Sequence, residues 1–318
     1  PSVVARLKKH PALLGIVASY VRDQAKELRT QIVAALPAQL PERDRILHIW
    51  DQTAGRPLRS RCRVLRNNLP STLSAGLAVT LDELLRRLGR RARDVARDWS
   101  EVLTDAERLW QGFSTWPEAS GLPPVTRSEI AQLIEYCQAQ QEEVLEEAAE
   151  AASEAPSARG SGSSTEQDDD DDGGDDRFRP VDGRPIDEDS VAGALDAEDY
   201  ALLLHLIQLK WGGLLHGSGK GFVSYEHLVI DEVQDLSACE VKVLIDCVSS
   251  GETSPPARGS AADRAAAAQK AEKAKSITMA GDVVQRLIFD NGFTGWDDLL
   301  RIVGLPDVRV QRLRILYR

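Results

Sequence analysis

The stretch His227–Asp235, HLVIDEVQD, decides the fold of this chain of 318 residues. Its three apolar residues, LVI, are followed at once by the carboxylates of Asp231 and Glu232. A short apolar run of this kind is typical of a buried parallel strand, which delivers its last side chains to the carboxyl edge of a sheet. Ligands bind at that edge in α/β folds, so the stretch predicts an α/β fold with a candidate site at these two acids.

The residues that follow predict a helix and two more strands. Ser237 and Glu240 match the capping box S-x-x-E, and apolar residues then recur at helical spacing. A second apolar run, Ile277–Ala280, ends in a Gly-Asp pair, and residues 313–317 alternate in a way that favours a third strand, ending at Arg318. The three runs together predict a parallel sheet.

Three motifs on this framework resemble a known family. DEVQD at 231–235 resembles motif II of the superfamily 1 helicases of the UvrD/Rep type. AGDVVQR at 280–286 resembles their motif III, in which Asp282 is the acid that ties motif III to motif II, and LRILYR at 313–318 is similar to the start of their motif IV. The resemblance covers Phe222–Arg318, and the form of motifs II and III is most similar to the HelD-type subgroup, whose relatives act on RNA polymerase.

The resemblance implies a partial RecA-like P-loop NTPase domain with ATP and Mg²⁺ as cofactors. It implies that Asp231 holds the metal through its water shell, with Glu232 beside it, and that Glu232 polarises the attacking water as general base. Gln285 would sense the γ phosphate and Arg318 would reach it, while Tyr317 would pack on the nucleotide. The predicted site therefore combines catalytic, metal-binding and nucleotide-binding residues.

The phosphate-binding loop of such enzymes is missing from the sequence. The run Gly217–Gly221 imitates it, but the motif requires Gly where Leu214 stands and Ser or Thr where Gly221 stands, and no strand is predicted before it. We expect an ordinary loop there. The chain begins with Pro, and its one methionine is Met279. We therefore expect an internal fragment of a longer protein that does not hydrolyse ATP by itself.

The rest of the chain divides into three predicted parts. Residues 1–150 are expected to form a mainly helical subdomain inserted in the helicase core, although an unrelated helical bundle is the alternative. Residues 151–190 read as an acidic disordered linker, and residues 191–318 as part of the RecA-like ATPase domain, with a second linker at 249–275.

Local patterns predict the elements of these parts. We expect helices over 3–36 around Pro11, a strand at Ile46–Trp50, and a short strand or extended loop in the arginine-rich stretch that follows. Helix starts are predicted at Asp196 and at three T-x-x-E signatures, Thr80/Glu83, Thr104/Glu107 and Thr126/Glu129.

Composition narrows the class of protein. The formal charge is −11, but residues 142–176 contain 14 acids and one base, so the rest of the chain carries +2. That remainder includes a basic stretch from Arg56 to Arg66. Four cysteines without metal-binding spacing indicate buried thiols in a reducing, cytoplasmic compartment. No apolar run approaches the length of a membrane-spanning helix, so we expect no membrane partner.

Three hypotheses of function remain open at this stage. The first is a segment of a UvrD-like ATP-dependent DNA helicase, with single-stranded or duplex DNA as partner. The second is a HelD-like ATPase that remodels or recycles RNA polymerase, because LIFDNGF at 287–293 stands where translocating relatives carry a base-stacking Trp and an Arg. Phe289 or Phe293 can stack on a base in their place or pack in the core. The third, a binding module that has lost catalysis, conflicts with the intact pair Asp231 and Glu232.

Overall fold

The computed structural model describes residues 3–116, 122–154, 195–216, 221–248, 275–282 and 292–312, with only the backbone over 141–154. The structure is mixed α/β, with mostly helices and a small parallel sheet of two strands in the described ranges. The helices are α1 Val3–Lys8, α2 Ala12–Ala35, α3 Arg43–Gln52, α4 Leu58–Asn67, α5 Ala75–Arg91, α6 Val95–Thr104, α7 Ala106–Ser114, α8 Arg127–Glu154, α9 Ala197–Trp211, α10 Ala238–Asp246 and α11 Trp296–Val303. The strands are β1 Leu228–Ile230 and β2 Ile277–Met279, and a 3₁₀ turn spans Val233–Asp235.

Helix α2 connects three apolar cores. The helices predicted over 3–36 are confirmed as α1 and α2, which are separated at Pro11. Leu13 and Val17 of α2 pack with α6, α7, α8 and α9, whereas Leu28 and Ile32 near its end pack with α3, α4 and α5. Leu14 faces a third core, which contains β1, α10 and α11. One long helix therefore contributes to all three apolar clusters.

Two predictions for the stretch between α2 and α5 are wrong. Ile46–Trp50, predicted as a strand, lies inside α3, because Ile46 and Trp50 are one helical turn apart and both are buried. The arginine-rich stretch, predicted as a strand or loop, contains α4, whose buried residues Leu58, Cys62 and Leu65 follow helical spacing. The arginines between these residues conceal the periodicity in the sequence.

The predicted helix starts have mixed outcomes. Thr126 and Glu129 form the expected reciprocal bonds before α8, where Glu129 N donates to Thr126 Oγ1 at 3.3 Å. Thr80 instead lies within α5 and donates to the carbonyl of Gly76. Thr104 ends α6, and the residue that caps α7 is Asp105, which accepts from Arg108 N at 3.0 Å. A T-x-x-E signature is thus ambiguous when the residues before it also favour a helix.

Helix α9 lies between the helical part and the sheet. Asp196 caps it as predicted, in a capping box with Asp199. Lys8, which is buried, donates to Asp199 at 2.8 Å, and the buried Lys210 at the other end of α9 pairs with Asp98 of α6. Buried ion pairs are costly to break because one partner is then left as an uncompensated charge. These two pairs fix α9 against the helices around it.

The sheet confirms the two predicted strands that fall in the described ranges. β1 and β2 are parallel, with Leu228 opposite Ile277 and Ile230 opposite Met279. Ile230 is buried against α10 and α11, but Val229 is 65% exposed, so β1 is covered on one face only. The expectation of a buried strand is therefore met on one face only in the described part of the chain.

Several predictions concern residues outside the described ranges. The third strand at 313–317, most of the linker 151–190 and nearly all of the linker 249–275 lie there, and the division into three predicted parts remains a prediction. The four cysteines are all free and buried, as expected, and burial raises the pKa of the Cys62 thiol to about 11. Among the described residues, no helix combines the length and apolar character needed to cross a membrane.

Candidate functional site

The candidate site is a short bulge of two acidic residues after β1. Ala280, just beyond β2, bonds to both sides of it: its N–H donates to Ile230 O at 2.8 Å, and its carbonyl accepts from Val233 N at 3.0 Å. In a regular parallel ladder one residue bonds to partners two positions apart, whereas 230 and 233 are three apart, so the β1 side carries one extra residue here and Asp231 and Glu232 bulge out of the ladder. Asp231 and Glu232 are accordingly both exposed.

The backbone of this bulge is strained at Glu232. Its φ is 49° and its ψ is 41°, the left-handed region, and it is the one non-glycine residue with a positive φ in the described part of the chain. Such a conformation costs roughly 1–3 kcal/mol and persists where surrounding contacts impose it. Here Asp231 Oδ1 accepts from Glu232 N at 2.9 Å and supports the turn.

Gln234 joins the acidic bulge to the end of β2. Its side-chain Nε2 donates to Glu232 Oε2 at 2.6 Å, and its Oε1 accepts from Asp282 N at 3.0 Å. With the amide in this orientation both bonds are satisfied, and Gln234 is only 1% exposed. One buried side chain therefore fixes the position of the Glu232 carboxylate relative to the second strand.

Gly281 leaves the space that Gln234 occupies. A Cβ built on Gly281 would lie less than 3.0 Å from Gln234 Oε1, 3.1 Å from Val233 Cγ1 and 3.3 Å from Val233 N. The absence of a side chain thus allows the two strand ends to approach. The sequence resemblance assigned the tie between the two motifs to Asp282, and it did not single out Gln234 as a functional residue. The signal in the sequence was a glutamine placed between acids and directly followed by a capped helix.

The helix after the bulge is fixed as the sequence predicts. Ser237 N donates to Glu240 Oε2 at 2.7 Å, and Glu240 N donates to Ser237 Oγ at 3.2 Å. Val233, between the bulge and this cap, is fully buried in the core with Ile230. The bulge is therefore anchored on both sides by buried residues, while its two carboxylates face solvent.

The donor set of the bulge fits a magnesium–nucleotide complex. Mg²⁺ is usually bound through one or two carboxylates, with water and substrate phosphates completing an octahedral shell. Asp231 and Glu232 supply two exposed carboxylates on adjacent residues. In the ranges that the structure describes, no group of three or more His, Cys, Asp or Glu side chains forms a metal site.

The remaining predicted site residues cannot be placed relative to the bulge. Gln285, Tyr317 and Arg318 lie outside the described residues. Phe289 lies outside them as well, but Phe293 is 4% exposed and packs edge to face on Trp296 with ring centroids 6.2 Å apart. Phe293 is therefore a core residue and does not present a surface to a base.

The run Gly217–Gly221, which resembles a phosphate-binding loop, lies between two segments whose backbones bond to each other. His216 N donates to Gly221 O at 3.0 Å and Val223 N donates to Leu214 O at 2.7 Å, and Leu215 bridges Phe222 in antiparallel fashion. A phosphate loop leads from a strand into a helix, whereas residues 221–227 contain no helix. The described flanks agree with the predicted ordinary loop.

Comparisons of the chain with family models, curated proteins and solved structures gave no match in any of the three.

Proposed function

We propose that this chain belongs to an ATP-hydrolysing motor of the UvrD/Rep type, which couples ATP hydrolysis to movement on nucleic acid, and that β1 and β2 belong to a RecA-like domain. The observation that supports this most directly is the bridge of Gln234 between the Glu232 carboxylate and Asp282 N. It joins two loops at the carboxyl ends of adjacent parallel strands, which is where α/β folds bind ligands. These two loops also carry the residues that resemble motifs II and III.

The division of labour follows from what each group can do. Asp231, whose carboxylate lies at the strand end, would hold the metal through water, and Glu232 would accept the proton of the attacking water. Bound magnesium supplies charge neutralisation on the β and γ phosphates. Gln234 orients the Glu232 carboxylate and leaves one of its oxygens without that bond, so a base and its positioning residue are both present.

The same bridge offers a route from one loop to the other. Gln285 follows Asp282 by three residues and is proposed to contact the γ phosphate. A displacement of that loop on hydrolysis would pull on Asp282 N and, through Gln234, on the loop that contains Glu232. In this proposal the hydrogen bond at 3.0 Å is the mechanical link between the two motifs.

The decisive experiment replaces Glu232 by glutamine in the complete protein, including the segment that carries its phosphate-binding loop. We expect nucleotide binding to persist and steady-state hydrolysis to fall about 10²-fold or more, the usual contribution of a general base. Glu226→Gln is the matched control, since Glu226 is also exposed and the charge change is equal. Turnover of Glu232→Gln within a few-fold of the unaltered protein would contradict the proposed role.

The second candidate function is an ATPase that remodels RNA polymerase, and one structural observation favours it. Phe293 is buried, so the LIFDNGF run offers no base-stacking residue at that position in place of the missing Trp and Arg. This alternative predicts ATP turnover that is indifferent to single-stranded DNA, together with copurification of RNA polymerase that nuclease treatment does not reduce. Strong stimulation of turnover by DNA would favour the helicase instead.

A further inference from the structure

A strongly basic helical hairpin lies far along the chain from the acidic bulge. Residues 56–93 contain ten arginines, no lysine and two acids, a formal charge of +8 in a chain whose total is −11. Helices α4 and α5 carry most of these arginines, and the two helices pack against each other through Leu65, Leu81 and Leu85. The hairpin therefore concentrates positive charge on its outer side.

Some of these arginines have structural roles. Arg61 is buried and stacks on Trp50, with its guanidinium carbon 4.1 Å from the ring centroid. Arg59 lies over the ring of Trp211, and Arg91 binds Asp98 at 2.6 Å. These side chains explain part of the arginine content by packing, and they are not available to a partner.

The other arginines are exposed and under-neutralised. Arg66 and Arg86 both bind Asp82, at 2.5 and 2.8 Å, so one carboxylate is shared by two guanidinium groups. Four more arginines are exposed and have no acidic partner among the residues that the structure describes: Arg56, Arg63, Arg87 and Arg90. We call these six residues the arginine face.

The shared contact with Asp82 shows that the face is continuous across the two helices. Arg63 lies about one turn before Arg66 in α4, and Arg90 lies about one turn after Arg86 in α5. Because a short connection folds α5 back along α4, these two steps run in the same direction from the Asp82 contact. The arginines therefore form a strip that crosses from one helix to the other.

We infer that the arginine face binds the phosphodiester backbone of a nucleic acid. A guanidinium group presents a planar fork of donors that matches phosphate oxygens and stays charged at any physiological pH, and this explains the use of arginine throughout. Exposed cations that hold no acidic partner can neutralise phosphates and release their counterions. The inference extends the proposed function by naming the surface that contacts the nucleic acid. It rests on the proposed function, because that function is the reason for choosing nucleic acid over another polyanion.

The test compares two double variants of the whole chain. Arg63→Gln/Arg90→Gln removes two cations of the arginine face, and Arg22→Gln/Arg309→Gln removes two exposed arginines elsewhere in the chain. Glutamine keeps a high helix propensity, and none of the four residues makes an ion pair among the described residues, so both variants should fold. Binding of a fluorescein-labelled oligonucleotide, single-stranded or duplex, is followed by fluorescence anisotropy over a series of salt concentrations, with no ATP present.

We expect the face variant to lose about tenfold or more in affinity near 0.1 M salt, with a salt slope shallower by about 1.4–1.8, the contribution of two phosphate contacts. The control variant should stay within about twofold. Equal losses in both variants would overturn the inference, because the effect would then reflect net charge alone.

Two further results would also overturn it. One is binding to vesicles that contain phosphatidylserine with none to the oligonucleotide. The other is oligonucleotide binding that appears only after Asp168–Asp172 are replaced by asparagine, since the chain's own acidic run would then occupy the face. Because this binding assay contains no ATP, loss of oligonucleotide binding here and loss of ATP hydrolysis in Glu232→Gln are separate results.

Discussion

Replacing Gly281 by alanine tests whether the two strand ends are joined as the structure shows. The added methyl group would lie less than 3.0 Å from Gln234 Oε1, and Val233 Cγ1 and N would stand 3.1 and 3.3 Å away. Val233 is part of a packed core and cannot retreat easily. Gln234 is the more movable neighbour, so we expect its amide to be displaced and its bond with Asp282 N to break.

The magnitude follows from the burial of that amide. Gln234 is 1% exposed, and a buried polar group that loses its partner costs about 1–3 kcal/mol. We therefore expect Gly281→Ala to lower the free energy of unfolding by about that amount, as measured by urea denaturation of the whole chain. Gly55→Ala is the control, because a Cβ on Gly55 meets nothing within 4 Å, and its effect should stay within about 0.5 kcal/mol.

A double-mutant cycle identifies the cause. In a Gln234→Ala background the space is open, and Gly281→Ala should cost about 1 kcal/mol less than in the unaltered chain. The reasoning is refuted if the cost is the same in both backgrounds, or if Gly281→Ala leaves stability unchanged. In the complete protein, Gly281→Ala should also reduce ATP hydrolysis, because the Glu232 carboxylate loses its positioning residue.

Three more predictions follow from single features. Because Glu232 is in the left-handed region, Glu232→Gly should be more stable than Glu232→Ala by about 0.5–1 kcal/mol in urea denaturation, and equal stabilities would contradict the strain. Asp98→Ala should lower the free energy of unfolding by about 3–5 kcal/mol, since it leaves Lys210 buried without its carboxylate, and adding Lys210→Met should recover much of the loss. Burial lowers the pKa of His10 and of His205 to about 4, below the ordinary value of 6.5. The unfolded chain therefore binds protons first, so stability should be complete above about pH 6.5 and fall towards pH 4, by on the order of 3 kcal/mol for each histidine. Urea midpoints across this range should depend less on pH in His10→Asn/His205→Gln, and an unchanged slope would contradict the assignment.

The sequence predicts best where a local signal and the tertiary structure agree. The strand at Leu228–Ile230, the capping box at Ser237 and the cap at Asp196 are all confirmed. The two caps depend on contacts within a few residues, and the strand on an apolar run that ends directly in two acids. The candidate pair Asp231 and Glu232 was predicted in the same way, from its position after an apolar run.

The wrong predictions have a common physical cause. Ile46–Trp50 is short and apolar, which suits a strand or a buried helix equally, and only the packing of Trp50 against the helices around it decides. In α4 the buried face includes Arg61, which is accommodated there by stacking on Trp50. Because Arg61 is charged, the sequence does not show this face as an apolar helical pattern. Thr80 failed as a cap because the residues before it already fold as helix.

The bridge through Gln234 could not be predicted, because it joins residues 234 and 282, which are far apart in the sequence. A side chain that bonds across two strands gives no periodic or capping signal in either segment. The motif resemblance assigned the tie between the two loops to the acid Asp282. The structure shows the Asp282 backbone N–H as donor and Gln234 as acceptor in that tie.

The exposure of both carboxylates has a geometric origin. In a regular strand, successive side chains point to opposite faces, so Asp231 and Glu232 would be separated by the sheet. The bonds of Ala280 to Ile230 and Val233 leave one extra residue on the β1 side, so Asp231 and Glu232 bulge out of the ladder and Glu232 lies in the left-handed region. The strain at Glu232 is thus the consequence of presenting two adjacent acids to solvent at a strand end. Because the buried Gln234 donates a hydrogen bond to Glu232, the Glu232 carboxylate is held in position while it remains exposed to solvent.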